Sequence, residues 1–141
     1  MRHVTVRNET RRVGLGSRVG VADNYWLRLR GLLGRPPLQP GEGLLITPCR
    51  AVHMMGMKYP IDVAFLDPDH RVVGVVDSLA PGRKSGWFRS ARHALELPAG
   101  TLKATGTCEG DFILIEDARA TERAPLRPVQ GSRENSIPST A

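Results

Sequence analysis

The chain opens with alternating polar and apolar residues, His3-Val-Thr-Val-Arg7, which puts Val4 and Val6 on one face of a predicted strand. A second strand is predicted over residues 13–21, weakened by Gly14, Gly16 and Gly20. The period then changes. Ala22, Tyr25, Trp26, Leu29, Leu32 and Leu33 recur at helical spacing, so a helix over 22–33 is predicted, with this stripe facing the core and Leu27 on the far side. Asp23 is placed to cap its start, while Gly34 and Pro36-Pro37 end it. Beyond it the pattern returns to short apolar runs at 43–47, 61–66, 71–76, 94–97 and 112–116. Asp67-Pro-Asp-His70 supplies turn chemistry between the second and third of these, which makes 61–76 a hairpin.

Composition supports the β reading. Fifteen Gly and eleven Pro without a repeat argue for many short segments joined by turns. A chain of 141 residues is expected to form one core. After Asp117 large apolar residues almost vanish, so the expected organisation is a single β-rich domain at 1–117 and a disordered tail at 118–141. The fold class expected is a single-domain antiparallel β-sandwich or barrel-like fold with one covering helix, about 22–33. No apolar run reads as a signal peptide or a membrane span, and two cysteines form no disulfide framework. A soluble, cytoplasmic protein is the expectation, with no membrane partner.

The net charge is +6, concentrated at the start: residues 1–35 hold eight Arg against Glu9 and Asp23. A basic segment can be a nucleic-acid footprint. However, 17 of the 20 basic residues are Arg throughout the chain, which favours a solvated basic surface over nucleic-acid binding. The stretch from Gly14 to Gly20 superficially offers GxGxxxG, but its spacing is not that of a dinucleotide-binding turn.

Four motifs occur in order: GLLGR at 31–35, the run 49–67 with MGMKYPIDVAFLD at its centre, LELPAG at 95–100 and GTCEGD at 106–111. Together they resemble the domain of unknown function 192 family, a group of small bacterial and archaeal proteins. The resemblance covers about residues 1–116. It implies a mainly β, sandwich- or barrel-like fold with one helix packed on it. It implies no activity, and hence no catalytic residue to carry over. Some relatives begin with an export signal, which is not seen here.

The densest chemistry lies at 49–57. Cys49, His53, Met55 and Met57 are soft or borderline donors that share a parity in an extended chain and suit Cu(I), although Cys and Met are also ordinary core residues. Asp62 sits inside an apolar strand, where a carboxyl must be paired or solvated; Lys58, Arg30 and Arg35 are candidate partners. Glu96, between Leu95 and Leu97, poses the same question, and the two facing each other would resemble a hydrolase pair. The loop 84–92 mixes cations with Trp87 and Phe88, either to close over a pocket or to anchor on the core. No GxSxG, P-loop or HExxH motif occurs.

The reading favoured by the sequence is a non-catalytic binding module for a small polar ligand or a protein partner. Its site is expected around His53, Met57, Lys58 and Asp62, roofed by Trp87. A small hydrolase-like enzyme using Asp62 with His53 is the alternative, and a soft-metal binder through Cys49, His53, Met55 and Met57 is a third. No cofactor is implied. Ligand and oligomeric state lie beyond the sequence.

Overall fold

A computed structural model describes residues 1–118; apart from Ala118, the tail expected over 118–141 lies outside the described residues. Among the described residues seven strands form one sheet: β1 (His3–Asn8), β2 (Val13–Ala22), β3 (Glu42–Ile46), β4 (Ile61–Leu66), β5 (Val72–Leu79), β6 (His93–Pro98) and β7 (Ile113–Asp117). Their spatial order is β5-β4-β6-β3-β2-β1-β7. Only β2 and β3 run parallel; the other neighbours are antiparallel. The sheet curls into a half-barrel whose two edges meet at one end. There Arg71 bridges Phe112, Val72 N–H donates to the Asp111 carbonyl at 2.9 Å, and Ile113 N–H donates to the His70 carbonyl at 2.9 Å.

Strand β4 is buried at all six positions because both faces of the sheet are covered. Ala64 and Leu66 face a core with Val4, Val6, Val19, Leu95, Leu97 and Leu102. Ile61, Val63 and Phe65 face a second core with Leu44, Ile46, Val52, Met54 and Ala94. Two long connections cover that second face and are zipped together by main-chain bonds. Met54 N–H donates to the Arg83 carbonyl at 2.7 Å, Ser85 N–H to Val52 at 2.8 Å and Phe88 N–H to Arg50 at 2.8 Å. Phe88 stacks on Phe65 with ring centroids 4.3 Å apart. Gly74 on β5 lies directly against the Phe88 ring, so that any side chain there collides with it. Phe88 is therefore the anchor of this loop, whereas Trp87 is 71% exposed.

The hairpin predicted at 61–76 is present as β4 and β5. Asp67 Oδ1 accepts from the N–H groups of Asp69 and Arg71, both at 2.9 Å, to shape its turn. The fourth motif is a clamp. Buried Asp111 accepts from Asn8 Nδ2 at 2.9 Å, Arg11 Nε at 3.0 Å and Cys108 N–H at 3.1 Å, which ties the end of β1 to the turn before β7.

The helix needs two corrections. It is α1 (Tyr25–Arg30), capped by Asn24, whose Oδ1 accepts from Leu27 N–H at 2.9 Å; Ala22 belongs to β2. The stripe also does not face the core. Tyr25, Trp26, Leu29 and Leu33 are exposed, while Leu27 packs against the second core and Leu32 is buried. The cause is Gly31, whose φ of 54° breaks the helix after six residues. Leu32 and Leu33 therefore fall out of phase with the residues before them. A second helix, α2 (Thr101–Thr105), was not anticipated.

Candidate functional site

On the second face, a cavity of about 180 Å³ opens between the sheet, α1 and the connection after β3. Its floor is Ile46, Ile61 and Glu96, from β3, β4 and β6. Residues 28–33 form one wall, and Cys49, His53, Met54, Met55 and Met57 line the other. Strand geometry fixes this floor. Glu96 pairs with Leu44 and Val63, so its side chain emerges on the same face as theirs.

Glu96 is 4% exposed, and among the described residues it has neither an ion pair nor a side-chain hydrogen bond. Burial alone pushes its carboxyl up to about 8. At neutral pH it is a carboxylic acid and offers an O–H donor into the cavity. Beside it, burial raises the Cys49 thiol above its ordinary value, and Glu96 adds to the effect at alkaline pH, where it is ionised. The Cys49 Sγ–H donates to the Ala51 carbonyl at 3.1 Å. A half-buried thiol held in its neutral form is a poor nucleophile.

The residues expected to form the site divide between the two faces. Met57 lines the cavity half-buried, and His53 lines it while remaining exposed. Lys58 is exposed on an adjoining hollow with Arg35 and Tyr59, which shares Met57, Leu32 and Leu33 with the main cavity. Trp87 lines neither space. Asp62 points the other way. It is fully buried; its Oδ1 accepts from Ser78 N–H and its Oδ2 from Leu102 N–H, both at 2.8 Å. Its partners are thus backbone amides rather than Lys58, Arg30 or Arg35. The sheet separates Asp62 from His53 and from Glu96, so neither pair comes together. Cys49, His53, Met55 and Met57 do share the cavity, although no three His, Cys, Asp or Glu side chains among the described residues are grouped to hold a metal ion. Glu96 was visible in the sequence as a charge inside an apolar strand. Its face and its lack of a partner required the fold.

The family model of DUF192, described as "Uncharacterized ACR", matches residues 4–115. The chain belongs to the DUF192 family. Three of the four motifs that carry the resemblance meet at the cavity of this DUF192 domain: the segment after α1, the run from Cys49 and the strand bearing Glu96. Two solved structures share its fold. One is a protein of unknown function from Novosphingobium aromaticivorans, 23% identical, with a TM-score of 0.69 over 79% of this chain and 83% of that one. The other is a "putative transcription regulator" from Sinorhizobium meliloti, 24% identical, with a TM-score of 0.67 over 81% of this chain and 92% of that one. No curated protein matches this chain. Among its described residues no helix is long and apolar enough to cross a membrane.

Proposed function

We propose that this chain is a non-catalytic binding module whose ligand is a small molecule with an apolar body and a neutral hydrogen-bond acceptor, such as an amide or a ketone. The observation that carries this reading is Glu96, a buried carboxyl without a partner at the floor of a cavity. An accepting ligand supplies a hydrogen bond worth about 0.5–1.5 kcal/mol that this carboxyl does not make within the protein. With its pKa near 8, the carboxyl is a donor in roughly nine molecules of ten at pH 7. Ile46, Ile61, Leu32, Met54 and Met57 supply apolar walls of the kind that small-molecule sites use. The free thiols of Cys49 and Cys108 support a reducing, cytoplasmic setting.

Thermal-shift measurements with small amides, ketones, amines and carboxylic acids, run in parallel on the wild type and on Glu96→Leu, test this reading. Amides or ketones raise the wild-type melting temperature. The effect weakens as pH rises through about 8 and disappears in Glu96→Leu. Stabilisation that survives in Glu96→Leu, or that comes only from amines and grows with pH, rejects it.

A second reading rests on a different observation, the convergence of Cys49, His53, Met55 and Met57 on the same cavity. These donors suit Cu(I). Cu(I) binding that is lost in Cys49→Ser but retained in Glu96→Leu favours this alternative.

A further inference from the structure

Five large apolar side chains are exposed around α1: Tyr25 at 61%, Trp26 at 74%, Leu29 at 64%, Leu33 at 45% and Met55 at 65%. They are contiguous. The rings of Tyr25 and Trp26 meet edge to face at 5.2 Å, and Leu29 lies one helical turn on from both. Leu29, Leu33 and Met55 share the rim of the cavity. Scattered apolar residues on a surface need no explanation, but a cluster of this kind marks an interaction site.

The cluster has a defined charge. At about 100° per residue, Tyr25 and Leu29 project roughly 160° and 200° away from the inward Leu27, and Arg28 and Arg30 fall on opposite flanks. Neither arginine forms an ion pair among the described residues. The segment from Asn24 to Gly41 contains no Asp or Glu, and neither does the segment from Thr47 to Tyr59. The face is therefore an apolar patch flanked by arginines that form no ion pair among the described residues. Its complement is apolar in depth and anionic at its surface. Trp and Tyr favour the headgroup level of a bilayer, and flanking Arg favours anionic lipid phosphates.

We propose that this face docks on the surface of an anionic phospholipid bilayer, with Trp26, Leu29 and Leu33 at the headgroup boundary and Arg28 and Arg30 on the phosphates. The docking face borders the mouth of the cavity, because residues 28–33 also form one of its walls.

Co-sedimentation of the full chain with vesicles tests this, comparing phosphatidylcholine alone with phosphatidylcholine containing phosphatidylglycerol. The chain binds the anionic vesicles at least about tenfold more tightly, and added salt weakens the binding. In a Trp87→Phe background, Trp26 emission shifts to the blue on binding. The double variants Trp26→Ser/Leu29→Ser and Arg28→Glu/Arg30→Glu each lose about tenfold or more in affinity while melting like the wild type. Trp87→Ser, an equally exposed aromatic outside the patch, changes nothing. Absence of binding to either vesicle, equal binding to both, or undiminished binding by the Trp26→Ser/Leu29→Ser variant overturns the proposal. Retention by an immobilised acidic peptide without vesicle binding overturns it in favour of a protein partner.

Discussion

Asp62 in the middle of the sheet accepts a hydrogen bond from the Leu102 N–H at 2.8 Å, which ties β4 to the first turn of α2. The same carboxyl holds the Ser78 N–H with its other oxygen, at a residue whose φ is 49°. One side chain thus satisfies two backbone donors, one buried and one part-buried, in segments far apart in the chain, a structural task that consumes both its oxygens.

Removing it strands those donors. Asp62→Ala is expected to lower unfolding stability by roughly 2–5 kcal/mol, and Asp62→Asn, which keeps one acceptor, by about half as much. Urea denaturation measures both. A variant as stable as the wild type would show that these two bonds do not hold β4, α2 and the end of β5 together.

The orientation of α1 gives a second test. Trp26 is 74% exposed, so Trp26→Ala is expected to change stability by no more than about 0.5 kcal/mol. Leu27 packs on the second core, and Leu27→Ala is expected to cost about 1–2 kcal/mol, less than a fully buried leucine. The reverse order would mean that the helix presents its other face to the sheet.

The buried acid also shapes the pH dependence of stability. The Glu96 carboxyl is raised from 4.5 to about 8 on folding, so between these values the folded state binds the extra proton. Stability due to this group is fully present below about 4.5 and falls as pH rises toward 8. Glu96→Leu removes that loss. Its melting temperature is expected to exceed the wild-type value by a margin that widens steadily from pH 5 to pH 8. A constant margin over this range would mean that Glu96 titrates alike in both states.

Much of the β architecture was legible because its signals are local. The hairpin at 61–76 rests on alternation plus the Asp67 turn, and both needed only neighbouring residues. The face of α1 was not legible. A single periodic stripe runs through the sequence from Ala22 to Leu33, but Gly31 divides it, and the apolar half that stays outside looks the same on paper as one that is buried. α2 is five residues long and rich in Thr, too short to carry a period. At the site, Asp62 and Glu96 read alike as charges inside apolar strands. What separates them is non-local: α2 and the end of β5 bring two amides to Asp62, whereas no group among the described residues hydrogen-bonds or ion-pairs with the Glu96 side chain.

The claim on which the binding account rests is that Glu96 is a neutral donor at physiological pH. A carbon-13 NMR titration of the side-chain carboxyl groups, with Glu96→Gln used to assign the resonance, measures this directly. The Glu96 carboxyl is expected to titrate near 8, well above the ordinary glutamate value of 4.5. Titration near 4.5 in the folded protein would mean that the carboxyl is charged and solvated at pH 7, and would contradict it.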